Sequence, residues 1–210
     1  AHTVLGPIGW TIGQWVSEVV YAGLTGDFRW LFGLFFGTLY SPLVITGLHH
    51  MSNAIDLQLT ADFGGTNLWP MIALSNIAQG SAVLAIIFLH RGNEKEEQVS
   101  IPAAISCYLG VTEPAMFGIN IKYIYPFVAA MIGSGIAGLV ATTFNVMANS
   151  IGVGGIPGFL SIQTDSMAMF IVCMAIAIVV PFLLTVLFEK KQLFAPKGEV
   201  EDAPVIQTQK

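Results

Sequence analysis

The sequence predicts an all-α, polytopic membrane protein, and three observations carry that prediction. Of 210 residues, 54% are hydrophobic and 10% charged, against about 25% charged in soluble domains, which need charge on their outsides. The mean hydropathy is +0.72. The apolar residues form continuous runs near the ~20 residues that cover a bilayer core at 1.5 Å each. They do not alternate with polar ones, as the strands of a membrane barrel would.

In chain order, residues 3–22 are mildly hydrophobic, with Trp10 and Trp15 as interface anchors or helix-packing residues and Glu18 inside the segment. The segment reads as a membrane helix entered midway. Residues 23–29 form a polar turn, and 30–48 are uncharged and long enough to span once, with a kink expected at Pro42. A polar cluster, His49-His50-Met51-Ser52-Asn53, follows abruptly. Residues 56–67, with Asp56 and Asp62, read as an aqueous loop or a half-helix. A helix is expected over 69–89, with Pro70 in its first turn and Asn76, Gln79 and Ser81 interrupting the apolar face. Residues 90–98 read as a solvated loop.

Residues 101–109 are too short to span. Residues 123–149 are charge-free, and Gly133, Gly135, Ala137, Gly138 and Ala141 give a small-residue face for close helix packing. Lys122, just before them, is placed to snorkel to an interface. Residues 152–165 are glycine-rich and read as a surface loop or a second broken element. Residues 167–188 carry no charge, with Pro181 inside, and form the clearest membrane helix. Lys190 and Lys191 behind it favour a cytoplasmic C-terminus. The organisation expected is a membrane domain over 1–194 and a polar, disordered tail over 195–210. No basic n-region precedes a cleavage site, so the start is not a signal peptide, and the chain reads as a piece of a longer polypeptide.

Several function classes are set aside. The net charge of −5 comes with no basic patch for nucleic acid. Cys107 and Cys173 stand in apolar runs without a CxxC or a His/Cys cluster, so no metal is expected. No Walker loop, GxSxG elbow, HExxH or dinucleotide fingerprint occurs, and no cofactor is expected.

The chemistry concentrates in Gly110-Val111-Thr112-Glu113-Pro114-Ala115. Glu113 is the only charge between Glu97 and Lys122. At membrane depth such a group costs at least ~2.5–3.5 kcal/mol, so it needs a job or a partner. Pro114 disfavours helix at Glu113 and removes an N–H, so the backbone should break where the carboxylate sits. Broken backbone at that depth must be buried in protein or line a wet cavity. The stretch reads as the tip of a re-entrant hairpin aiming a carboxylate into a polar site; a short surface loop is the alternative. The second break is the histidine pair. Adjacent in a helix, His49 and His50 point about 100° apart, so one of them faces a given site. Either ring could instead be satisfied by a backbone carbonyl. An imidazole and a carboxylate together supply the donors and acceptors that sugar hydroxyls need, and the carboxylate can take a hydroxyl proton as general base. Paired broken elements point to a transporter's substrate site. Asn53, Asn76, Gln79 and Asn120 could add amide bonds, and Trp69, Phe117, Tyr123 and Tyr125 could stack on a sugar ring. An ion-coupled secondary transporter, with Glu113 carrying a proton, is the competing reading.

The motif at 110–115 resembles the G-[IV]-T-E-P motif of enzyme IIC, the membrane subunit of the bacterial phosphoenolpyruvate-dependent sugar phosphotransferase system, glucose/sucrose/β-glucoside superfamily. Gly47-Leu48-His49-His50 resembles its G-[FL]-H-H signature, and Glu113 follows His50 by 63 positions, in the family's order. Asn120-Ile121-Lys122-Tyr123 and Pro126-Phe127 are similar to the disaccharide branch, and residues 3–194 to its trehalose-specific members. The resemblance implies the C-terminal part of a IIC transport domain with re-entrant hairpins, lacking the first helices that form the family's dimer scaffold. It implies that Glu113, Thr112 and His50, with His49 as alternate, bind the disaccharide, and that Glu113 sits at the hydroxyl to be phosphorylated. The arginine that some relatives place before the histidines has no counterpart at Ser41 or Pro42. The implied partners are a disaccharide, trehalose first; a IIB phosphocysteine domain fed by IIA and HPr carriers; and a second copy, in a bacterial inner membrane. Neither Cys107 nor Cys173 sits in a IIB-like context.

Overall fold

The computed structural model describes residues 18–24 and 26–194. Trp10, Trp15 and the tail over 195–210 lie outside the described residues. A short helix α1 (Glu18–Leu24) precedes α2 (Arg29–Ile45), α3 (His50–Phe63), α4 (Leu68–Leu89) and α5 (Glu94–Tyr108). An irregular helical segment follows: α6 (Glu113–Ala115), a π-turn (Met116–Asn120) and α7 (Ile121–Tyr123). Then come α8 (Tyr125–Thr143), two 3-10 turns (Ile156–Ser161 and Thr164–Ser166) and α9 (Met167–Lys190). The described residues hold no strand, only bridges joining Thr66 to Ala148 and Ala148 to Ile162.

Three described helices are long and apolar enough to cross a membrane: α4, α8 and α9, the last continuous with the turn from Thr164. The bent pair α1–α2 would make a fourth. Helix α4 is the axis of the molecule. It has 22 residues, and all but four are buried against α2, α5, α8 and α9. Helix α9 instead leaves most of its apolar surface open, including Ile171, Val172, Val179 and Leu183. Open apolar surface of that length is what lipid covers, since tails are as apolar as leucine.

The small-residue face on α8 meets two neighbours. Gly135 and Gly138 lie against α2 at Leu34, Gly33 and Gly37, so closely that a Cβ on Gly37 would come within 2.6 Å of the Ser134 carbonyl. Gly133 lies against the ring of Pro181 on α9. Backbones approach there because no side chain intervenes.

One expectation is corrected, and for residues 56–67, read as an aqueous loop or a half-helix, the helical alternative holds as far as Phe63, the end of α3. Residues 94–98 are not loop but the first turns of α5: Asn93 caps the helix through its side-chain oxygen, and Glu94, Glu96 and Glu97 occupy the first turn. Carboxylates there face the positive end of the helix dipole, which favours helix over loop. Residues 56–67 are not an aqueous loop. Asp56 is fully buried in α3, where Oδ1 accepts the Thr66 hydroxyl, whose oxygen accepts the Leu68 N–H at 3.0 Å. The carboxylate thereby anchors the start of α4. The segment 152–165 is the second broken element, two 3-10 turns bridged back through Ala148.

Candidate functional site

Two chain reversals build the site. After α2 the backbone turns at Gly47, whose φ of 76° suits glycine. The His49 N–H then reaches back to the Leu43 carbonyl at 3.3 Å, and its ring lies edge-on to Tyr40 of α2. After α5 the chain reverses again at Gly110, φ 100°. Ser106 holds this tip twice: its carbonyl accepts the Val111 N–H at 2.9 Å and its hydroxyl donates to the Val111 carbonyl at 3.0 Å. The chain then returns as α6 and the π-turn, packed on α5 and α4. This is the hairpin that the proline and flanking glycines imply.

The two tips face each other across one cavity of about 230 Å³. Its walls include Tyr40, His49, His50, Asn53, Trp69, Asn76, Thr112 and Glu113. His49 Nε2 stands 3.9 Å from Glu113 Oε1. The carboxylate side chain is 47% exposed, opening into the cavity, and the imidazole 14%. The His49 ring lies 4.0 Å, centroid to centroid, from that of the exposed His50. His49 is therefore the histidine that meets Glu113, and His50 flanks it at the rim. Thr112 is 5% exposed and caps α6 beside the carboxylate. Asn76 lies eight residues into α4, roughly 12 Å along its axis. Trp69, in the first turn of the same helix, lines the cavity too, so the cavity runs along the first half of a helix long and apolar enough to cross a membrane.

Other candidates fall elsewhere. Gln79 and Asn120 bond each other, and Gln79 donates to Ser41, in a buried lace joining α2, α4 and the π-turn. They leave the cavity because interior amides need partners more than they need a ligand. Tyr123 and Tyr125 gather with His90 at the opposite end of α4, and Lys122 lies over the Tyr123 ring. Phe117 lines no wall of the cavity. Sequence reasoning missed Tyr40 and Gly154 as wall residues. Tyr40 sits in a uniform apolar run with no signal, whereas Gly154 lies in the glycine-rich stretch left open between loop and broken element.

The arrangement suits an uncharged polyol. A hydroxyl placed at the apex over the 3.9 Å pair can be ~2.6–3.2 Å from both groups at once. Aromatic walls at Tyr40 and Trp69 provide the apolar faces a sugar ring needs. No group of three or more metal-ligating side chains occurs among the described residues.

Comparison with known proteins follows the same line. The chain is 55% identical over 185 residues to the PTS system trehalose-specific EIIBC component of Escherichia coli (strain K12), covering 88% of this chain and 39% of that protein. It is 48% identical over 180 residues to the component of the same name from Bacillus subtilis (strain 168), covering 85% and 38%. It is 45% identical over 201 residues to the PTS system sucrose-specific EIIBC component of Pasteurella multocida (strain Pm70), covering 91% and 40%. The chain thus spans about two fifths of the length of the curated relatives it matches. No solved structure matches it. The family model described as Phosphotransferase system, EIIC, matches residues 1–134, taking in both the histidine turn and the Glu113 hairpin, and the chain belongs to that family of integral membrane domains.

Proposed function

We propose that the chain is the sugar-holding part of a membrane permease of the phosphoenolpyruvate-dependent phosphotransferase system. The observation that carries this is His49 and Glu113, far apart in sequence, converging at 3.9 Å on the wall of one cavity. The substrate is a disaccharide, trehalose first, since relatives 55% and 48% identical carry that name and a sucrose-named one stands at 45%. A cavity of about 230 Å³ is smaller than the ~300–1,000 Å³ of ordinary ligand pockets, so one ring enters and the second fills the open mouth.

In this reading Glu113 accepts the 6-hydroxyl hydrogen bond, and His49 Nε2 fixes the same oxygen from the other side. Thr112 and His50 complete the binding set. A IIB phosphocysteine, in the longer protein and charged through IIA and HPr carriers, supplies the phosphoryl group. The sulfur–phosphorus bond breaks, the oxygen–phosphorus bond forms, and the hydroxyl proton passes to Glu113. The charged ester is then trapped on the cytoplasmic side. Residues 1–194 form the membrane domain and 195–210 a polar tail; Lys190 and Lys191 behind α9 favour a cytoplasmic C-terminus in the bacterial inner membrane. A second copy of the chain is a further partner in this reading.

The test is trehalose binding and phosphoenolpyruvate-dependent uptake by the intact polypeptide. Glu113→Gln and His49→Ala should each weaken binding at least ~10-fold, the value of one charge-assisted or buried hydrogen bond. Uptake should stop without the phosphodonor and ignore a proton gradient. Uptake that instead follows the gradient identifies the ion-coupled transporter.

A further inference from the structure

We propose that Asn76, pressed into place by Gly154, is a positioning residue: it fixes the hairpin tip and through it the Glu113 carboxylate. This rests on the reading of Glu113 as a sugar-binding group. Asn76 projects from α4, whose surroundings are almost wholly buried, and is itself 6% exposed. Its Nδ2 donates to the Gly110 carbonyl at 3.3 Å, three residues before Glu113. The Gly110 N–H is taken by the Cys107 carbonyl at 2.9 Å. Both polar groups of the pivot residue are therefore tied, one to its own helix and one to α4.

The second broken element closes the corner. A Cβ on Gly154 would stand 2.5 Å from Asn76 Nδ2 and 3.1 Å from the Gly110 Cα, and a Cβ on Gly110 would stand 2.8 Å from the Gly154 backbone. Three segments thus meet with no spare space, and two of them carry glycine where they touch. The tip cannot drift toward 154 and is held from α4 by one hydrogen bond. Val111 is tied on both sides to Ser106, so the soft torsions left before the carboxylate are those of Thr112 and Glu113 themselves. A carboxylate must be held within a fraction of an ångström to share a hydroxyl with His49, and Asn76 supplies that restraint from the most buried of the three described membrane-length helices.

Asn76 also lines the cavity, so direct contact with the sugar is the rival explanation, and a double-mutant cycle separates the two. Trehalose affinity of the intact polypeptide in detergent is measured for the wild type, Asn76→Leu, Glu113→Gln and the double variant, with thermal melting as the folding check. Asn76→Leu keeps the number and branching of side-chain heavy atoms and removes the donor. It should weaken binding about tenfold, short of the ~100-fold cost of a full ångström of misplacement. Added to Glu113→Gln it should cost less than about twofold more, because the group being positioned has lost its charge. Gly154→Ala, which crowds the same corner without removing a polar group, should show the same dependence on Glu113. Equal losses from Asn76→Leu in both backgrounds overturn positioning in favour of direct contact. An unchanged affinity in Asn76→Leu and Gly154→Ala, with Glu113→Gln impaired, overturns the inference and leaves the proposed site standing. Normal binding by Glu113→Gln overturns both.

Discussion

Gly110 shows how much one residue can decide. Its φ of 100° lies where a side chain is strained, and a Cβ would meet the Gly154 backbone at 2.8 Å. Gly110→Ala should therefore cost about 1–3 kcal/mol of local stability and release the tip. Faster hydrogen exchange over residues 109–118, with the helices unchanged, is the expected result; unchanged exchange contradicts it. The two histidines divide similarly at this scale. His49, edge-on to Tyr40 and facing Glu113, should lose at least ~10-fold in affinity on truncation, whereas the exposed His50 should lose less than about threefold. Binding by His49→Ala and His50→Ala variants checks the order.

At the scale of elements, the end of the molecule away from the cavity is locked by His90. Its Nδ1 lies 2.9 Å from Glu96 of α5, and its Nε2 3.1 Å from Glu189 of α9, which also accepts the Tyr125 hydroxyl of α8. Carboxylates only accept, so both ring nitrogens must donate and the ring is held as imidazolium. Burial alone would lower its proton affinity, but the hydrogen bonds it donates to Glu189 and Glu96 outweigh it and raise the pKa above the ordinary 6.5. The folded-state value exceeds the unfolded one. The stabilisation is therefore complete below the unfolded value and is lost as pH rises through the folded one. The melting temperature in detergent should fall as pH rises above the ordinary imidazole value of 6.5, and His90→Gln should flatten that slope. A wild-type slope equal to that of the variant rejects the latch.

For the whole molecule, the sorting of helices by burial matters most. Helix α4 buries all but four of its 22 residues, while α9 turns Val179 and Leu183 outward and Cys173 and Ala177 inward. A lipid-phase probe should label a cysteine placed at Leu183 or Val179 and spare one at Ala177; equal labelling removes the arrangement. The cavity draws its walls from segments distant in sequence: Trp69, Ile72 and Asn76 of α4, His49 and His50 of the turn after α2, and Thr112 and Glu113 of the hairpin after α5.

The class and the long apolar helices were legible in the residues alone, because bilayer thickness fixes run length and composition without reference to any contact. So were the two breaks, since Pro114, Gly110 and the histidine turn constrain the backbone locally. Which histidine faces Glu113 was decided only by the tertiary structure: rotation at the Gly47 turn is set by how α2 and α3 seat, not by residues 49 and 50. The same holds for Gln79 and Asn120, which bond each other rather than the cavity, and for His90, whose partners come from α5 and α9. Hydrogen bonds between distant segments depend on where packing brings their ends, and composition carries no record of that.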